Sequence, residues 1–211
     1  MSGFANSIAG SILPNYFLLQ DFRFSIVGEL YVPIHMHLLT LPGVKIKDIR
    51  TVSSHPMAIR QCSEFLHNLT HVDIRENDDT ALAAKQVKEK ADKSQAAIAN
   101  EYAAKKFGLK ILERRIETHK KNFTRFLVLS KERHIADGAN KASVYFEVSH
   151  EVGCLADVLS TFKMHHINLT KIQSIPIVGK PHEYSFHLDI EWKNKKNYNQ
   201  AMQAVIRQVH N

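Results

Sequence analysis

The chain has only two cysteines in 211 residues, Cys62 and Cys154. They stand far apart, so no disulfide framework is drawn, and the count suits a reducing cytoplasm. Long apolar runs are missing: each is interrupted within a few residues, so none reads as a membrane-spanning helix. The opening Met1-Ser2-Gly3-Phe4 has no basic region followed by an apolar one, and no signal peptide is read from it. There is no Gly-rich phosphate loop, no internal repeat and no low-complexity tract. Acidic residues are the minority, 21 against 28 Lys and Arg, which leaves a net charge of +7.

What is present is ordinary for a chain with a core. Apolar residues make up 44% and charged residues 23%, enough for one large domain or two small ones. The basic excess suits nucleic acid, an anionic small substrate in a basic cleft, or a solvated surface. The lysines between Lys85 and Lys121 and between Lys193 and Lys196 are spread out among Glu, Asp and polar residues. No aromatic-basic alternation offers a base-stacking platform, so neither nucleic acid nor a membrane is expected as a partner. Histidine is plentiful at 13. His35 and His37 would share a strand face, but no Cys or carboxylate is spaced to complete a metal site. Solvated or satisfied histidines are expected, with no metal and no cofactor. Cys62, on an apolar helix face with Ile59 and Leu66, reads as core.

The first part alternates strands and helices. Ser25–Leu30 and Asp48–Ser53 read as strands, and Ser54-His55-Pro56 opens a helix. Asp79-Thr80 caps another, Asn100–Phe107 a third closed by Gly108, and Leu109–Leu112 and Phe126–Leu129 read as buried strands. This order argues an α/β fold with a largely parallel sheet over residues 1–130. The polar stretch 131–140 reads as a linker. Residues 141–211 have a different rhythm. Val144, Phe146 and Val148 alternate; Leu155, Val158, Leu159 and Phe162 form a helical stripe. Ile167 and Leu169 alternate, then the phase slips to Ile172, which predicts a bulge. Tyr184 to Ile190 alternates again, and Tyr198, Met202, Val205 and Val209 form a last stripe. The order βαββα is a ferredoxin-like unit lacking its final strand.

Three segments could carry chemistry. In Asn122-Phe123-Thr124-Arg125-Phe126 an apolar strand is expected from Phe126, which puts Thr124 and Arg125 at its start, where open α/β proteins place ligands. Arg offers a planar fork for a carboxylate and Thr one donor and two lone pairs; the same residues would also suit an ordinary strand edge. Val52-Ser53-Ser54-His55-Pro56 joins a strand end to a helix start, with Gln61 on the first turns, an arrangement that serves an anion or simply a cap. Asn6-Ser7-Ile8-Ala9-Gly10-Ser11 lets a backbone approach a ligand closely, or is a plain turn.

In this order the segments resemble the prephenate dehydratase family: Asn6-Ser7 with Ala9-Gly10-Ser11, Gly28-Glu29 with His35, Ser54-His55-Pro56 with Gln61-Cys62, Thr80-Ala81 with Ala83-Ala84, and Asn122 with Thr124-Arg125-Phe126. The second part resembles the ACT domain, a small-molecule sensor. The resemblance implies a two-lobed α/β fold like type II periplasmic binding proteins, followed by an ACT domain. It implies conversion of prephenate to phenylpyruvate with loss of water and carbon dioxide, without cofactor. It makes Thr124, with Arg125 and Phe126, the catalytic group, and Asn6, Ser7, Ser54, Gln61 and Asn122 the substrate-binding positions. L-phenylalanine is the implied effector, held by His150, Gly153, Cys154 and Leu155 and by Asn168, Leu169, Thr170, Gln173, Ser174 and Pro176. ACT units pair, so a homodimer or homotetramer in the cytoplasm is implied.

The chain also departs from the family. Ala5 stands where the family has Glu, the lobe portion that precedes Asn6-Ser7 in the family is expected to be missing, and so is the last ACT strand. In the sensor motifs, His150-Glu151-Val152-Gly153-Cys154-Leu155 and Gln173-Ser174-Ile175-Pro176 replace His-x-Pro-Gly-Ala-Leu and Glu-Ser-Arg-Pro. The alternative is a non-catalytic amino-acid-binding or regulatory protein derived from the enzyme.

Overall fold

The structure is a computed structural model that describes residues 2–6, 10–12, 14–22, 24–132, 135 and 138–210. Strands β1 (Ser2–Asn6) and β2 (Gly10–Ser11) pair antiparallel, Asn6 opposite Gly10. Gly10 has φ +82°, which a residue with a Cβ adopts only under strain. Ser7, Ile8 and Ala9 lie outside the described residues. The helix α1 (Pro14–Phe22) and the strand β3 (Ser25–Pro33) follow.

Strand β4 (His37–Thr40) leads to a 3-10 turn at Ile46–Asp48 and to β5 (Thr51–Ser54). A strand was expected from Asp48; its carboxylate instead accepts Lys45 N–H at 2.9 Å and closes the turn. Helix α2 (Pro56–Gln61) starts with Pro56 in its first turn and His55 as cap, Nδ1 accepting Met57 N–H at 3.1 Å. The single helix expected through Leu66 breaks at Cys62 (φ −108°, ψ 20°) before α3 (Ser63–His67), so Gln61 ends α2 rather than opening it. Then come β6 (Asp73–Glu76) and α4 (Thr80–Lys90), capped by Asp79, which accepts from Ala81 and Leu82 N–H. After β7 (Gln95–Ala99), α5 (Glu101–Phe107) runs from an Asn100 cap to Gly108 at φ +65°. Strands β8 (Lys110–Glu113) and β9 (Phe123–Ser130) complete this part.

A five-stranded sheet has the order β6-β5-β7-β4-β8. β5 is parallel to β6 and β7, whereas β4 is antiparallel to β7 and β8. The sheet is thus mixed rather than largely parallel. The crossover through α5 keeps β7 and β8 in one direction, and β4 enters between them the other way. Both faces are covered, so alternate residues serve opposite cores. Leu38, Val52 and Ile98 pack with Cys62 and Leu66; Leu39, Ala97 and Ala99 pack with Ala83, Ala84 and Val87 of α4 and Ala103 and Ala104 of α5. The alanines on both sides of the second core let helix and sheet backbones approach closely.

A four-stranded sheet has the order β2-β1-β9-β3. Pairing of Asn6 with Thr124 and Ala5 with Arg125 extends β9 three residues before the apolar run, so Thr124 and Arg125 lie inside the strand instead of at its start.

The chain divides into two compact units, residues 1–18 with 29–127, and residues 19–28 with 128–211. The second contains β10 (Lys141–Glu147), α6 (Cys154–Met164), β11 (Asn168–Pro176), β12 (Tyr184–Glu191) and α7 (Lys195–Val205). The described residues of 131–140 hold no helix or strand. The three-stranded antiparallel sheet has the order β10-β12-β11, and its register shifts between Leu169 and Lys171, where the alternation slips. His210 exchanges backbone hydrogen bonds with Glu147 at the free side of β10, where a ferredoxin-like sheet carries its fourth strand. The core joins Phe146, Leu188 and Ile190 to Val158 and Phe162 of α6 and Ala201 and Val205 of α7. β12 is buried on its other face too, through Ser185, His187 and Asp189. Ser143 donates to Asp189, and the His187 ring lies 4.9 Å from that of Tyr145.

Candidate active site

Asn6 at the end of β1, Asn122 just before β9 and Gln61 at the end of α2 meet in a closed ring of side-chain amides. Asn6 Nδ2 donates to Asn122 Oδ1 at 2.8 Å, Asn122 Nδ2 to Gln61 Oε1 at 3.0 Å, and Gln61 Nε2 back to Asn6 Oδ1 at 3.5 Å. Asn122 is fully buried, so its amide depends on these partners. Asn6 Nδ2 also donates to Thr124 Oγ1 at 3.2 Å. The Thr124 hydroxyl therefore accepts from a member of the ring, and a hydroxyl that accepts still has its O–H to donate. The break of the helix at Cys62 makes this possible, because it leaves Gln61 at a helix terminus.

The other expected site residues are placed differently. Arg125 Nε donates to Glu29 Oε2 at 2.7 Å, with the two side chains 14% and 20% exposed. The fork expected to face a substrate carboxylate thus has a carboxylate of this chain beside it. Phe126 is half-buried on the same strand. Ser54 is fully buried and donates to the Ile98 carbonyl at 2.6 Å, tying β5 to β7. Ser7 lies outside the described residues. His35 precedes β4 instead of sharing a strand face with His37: its Nδ1 is 3.3 Å from Glu117 Oε1, while His37 Nδ1 accepts Arg115 N–H at 3.0 Å. Burial, then the nearby Arg114 charge, lowers the His37 pKa, which suits an accepting nitrogen.

Glu117 was not singled out in the sequence, where it stands in the polar run Glu117-Thr118-His119-Lys120-Lys121. Its side chain is fully buried. Oε2 accepts Met36 N–H at 3.0 Å, and Oε1 faces His35 and Arg115 Nε at 3.3 and 3.4 Å. Burial alone would raise its pKa; the donors, its own amide and Met36 N–H first, outweigh burial and hold the carboxyl below the usual range.

In the second unit a cavity of about 400 Å³ is lined by Val148, His150, Gly153, Cys154, Leu155, Leu159, His182 and Phe186, among others. Gly153 caps α6 with φ +91°. Four of the expected effector positions, His150, Gly153, Cys154 and Leu155, line this cavity. Asn168, Leu169, Thr170, Gln173, Ser174 and Pro176 lie on β11 and are not among its lining residues. Asn168 donates to Glu191 at 2.7 Å, and Thr170 to the Asp189 carbonyl at 3.2 Å. Among the described residues, no group of three or more His, Cys, Asp or Glu could hold a metal ion.

The sequence pattern of prephenate dehydratase matches residues 3–134. The chain belongs to the prephenate dehydratase family. Among curated relatives, the arogenate dehydratase/prephenate dehydratase 2 of Arabidopsis thaliana, a chloroplastic protein, is 41% identical over 199 residues, which cover 88% of this chain and 51% of the plant protein. A bifunctional chorismate mutase/prephenate dehydratase of Aquifex aeolicus is 40% identical over 191 residues, with the same two shares. The chain thus spans about half the length of these relatives. Among solved structures, the prephenate dehydratase of Staphylococcus aureus subsp. aureus Mu50 superposes with TM-score 0.84 at 26% identity, covering 98% of this chain and 76% of that one. That of Arthrobacter aurescens, in complex with L-Phe, gives 0.79 at 28%, covering 88% and 63%. GqqA, described as a novel type of quorum quenching acylase, gives 0.85 at 28%, covering 99% and 77%. Within this mixed α/β fold of the prephenate dehydratase family, no described helix is long and apolar enough to cross a membrane.

Proposed function

We propose that the chain catalyses the decarboxylative dehydration of prephenate to phenylpyruvate, in the biosynthesis of phenylalanine. The observation that carries this reading is the amide ring that hydrogen-bonds Thr124 Oγ1. In the reaction the bond from the ring carbon to the carboxylate breaks and its electron pair enters the ring. The carbon–oxygen bond at the opposite carbon breaks, and the departing oxygen takes up a proton to leave as water. Thr124 gives its proton to that oxygen and takes one back from solvent once the water has left. An isolated hydroxyl is a weak acid, and the Asn6 N–H on Thr124 Oγ1 makes its proton a better donor. Asn6, Asn122 and Gln61 hold the hydroxyl's direction, which is the positional contribution to the rate. Phe126 shapes the wall on the same strand. Arg125 serves a carboxylate of the dianionic substrate while it keeps its pairing with Glu29, and Ser54 fixes the α2 start through β7. Ser7 is a further substrate-binding position in this reading, by its place in the family motif. The relatives' names leave arogenate as a second substrate to be measured beside prephenate.

A hydrolytic reading, prompted by the likeness to an acylase, is less well supported. A hydroxyl nucleophile needs a base, and the side-chain partner of Thr124 is an amide donor.

Residues 141–211 serve in this reading as an ACT domain that binds L-phenylalanine. The α6 start at Gly153-Cys154-Leu155 suits the amino-acid carboxylate, and Val148, Leu159 and Phe186 suit the ring. The β11 positions contribute from a second copy in a homodimer or homotetramer; β11 is an edge strand with Ile172 48% exposed. Two free cysteines suit the cytoplasm as compartment.

The test is incubation of the folded protein with prephenate, followed by phenylpyruvate absorbance. Turnover is expected; a folded sample without it overturns the reading. L-phenylalanine binding by calorimetry in such an inactive sample would instead establish the non-catalytic alternative.

A further inference from the structure

We infer that Glu117 is a positioning residue: its buried carboxylate clamps the β8–β9 loop so that Asn122 and Thr124 stay in register with Gln61. The inference rests on the proposed activity only for its kinetic arm. The loop residues 114–122 have no strand or helix to hold them, yet Asn122 at their end is fully buried and closes the amide ring. Something must fix the loop against the rest of the unit. Glu117 does so from inside: Oε2 takes the Met36 N–H at 3.0 Å, and Oε1 takes His35 and Arg115. Around it the two segments are sewn together by backbone. Ile116 N–H donates to Met36 O at 2.9 Å and Ile34 N–H to Asn122 O at 2.8 Å. Thr118 N–H donates to Gln61 O at 2.8 Å, so the residue next to Glu117 holds the residue whose side chain completes the ring. Lys120 closes the loop on itself, its Nζ donating to the Glu117 carbonyl at 2.6 Å and to the Arg115 carbonyl.

A carboxylate is the one side chain of this size that accepts from all three donors at once. An amide would keep the Met36 contact through its oxygen but turn N–H groups toward His35 and Arg115. Because the carboxylate position is fully buried, amide N–H groups turned toward His35 and Arg115 meet no acceptor there, and relieving them moves the loop rather than merely weakening one contact. Movement of the loop by a fraction of an ångström reaches Asn122 directly and Thr124 through Asn6.

The experiment compares the wild type with Glu117→Gln, Glu117→Asp and Lys120→Met. The first readout is the NMR side-chain amide signals of Asn6, Asn122 and Gln61 without substrate. In Glu117→Gln these signals shift or broaden while the melting temperature changes little. The second readout is prephenate turnover: kcat falls about 10- to 100-fold with KM within about twofold, the signature of misalignment rather than lost binding. Glu117→Asp recovers part of kcat, and Lys120→Met, which leaves the carboxylate in place, shows the same signal changes in smaller measure. Unchanged amide signals in a folded Glu117→Gln overturn the inference, as does an activity loss that follows the melting temperature through the series. If Glu117→Gln does not fold, unchanged signals in Lys120→Met overturn it. An inactive wild type sinks the proposed function alone, because the amide signals are read without turnover.

Discussion

The two units build their candidate sites in opposite ways. In the first, side chains from positions 6, 61, 122 and 124 converge on one ring of hydrogen bonds, and each contact spans more than fifty residues of chain. In the second, a cavity forms from two short stretches, 148–159 and 182–186, around the start of one helix. A site gathered from distant segments depends on every loop that delivers a residue, so it needs inner supports such as Glu117. A site made by a helix start and its neighbouring strand is held by the same core that holds the fold.

This contrast can be broken most forcefully at Thr124. Thr124→Ala is expected to lower prephenate turnover by roughly 10²–10⁴-fold while unfolding by denaturant is unchanged. A variant with full activity would remove the hydroxyl from the chemistry and leave the ring as packing. Next in size is Phe162→Ala, in the core of the second unit. It is expected to cost about 3–5 kcal/mol in that unit's unfolding, with loss of L-phenylalanine binding in calorimetry. Retained binding after such a loss would show that the cavity does not depend on its core.

A third measurement concerns pH. Burial, partly offset by Asp189 and reinforced by Lys171, pushes the His187 pKa from 6.5 down to about 4. Between those values the unfolded chain binds the proton and the folded one does not, so stability rises with pH through this window. It is fully present above pH 6.5 and is lost toward pH 4, by up to about 3 kcal/mol. Denaturant unfolding at pH 4.5 and 7.5 checks this, and His187→Gln is expected to flatten the difference. The smallest effect is chemical. Burial, with the Glu117 charge added, raises the Cys62 thiol to about 12, so alkylation at pH 8 is expected at half-exposed Cys154 well before Cys62, followed by mass spectrometry.

The capped helices were legible because their signals are local. Asp79, Asn100 and Pro56 act within one turn of themselves, and the stripes of α6 and α7 follow a single helix period. The bulge in β11 was legible for the same reason, as a slip in an alternation of two. The ends of elements were less so. β9 reaches back past Phe126 because β1 pairs with Thr124 and Arg125, and α2 stops at Gln61 although the apolar pattern runs on to Leu66.

The sequence by itself determined the family, through ordered motifs each too short to argue alone, and the resemblance grouped Asn6, Ser7, Ser54, Gln61 and Asn122 with Thr124, Arg125 and Phe126. Only the tertiary structure decided which of them meet, namely Asn6, Gln61, Asn122 and Thr124. It closed three amides into a ring, set Glu29 against Arg125, turned Ser54 inward to Ile98, and buried Glu117 from a run of polar residues that carries no motif. The physical reason is range. A cap or a period is settled within a few residues, whereas the partner of a buried polar group is chosen by which distant segment the fold brings against it.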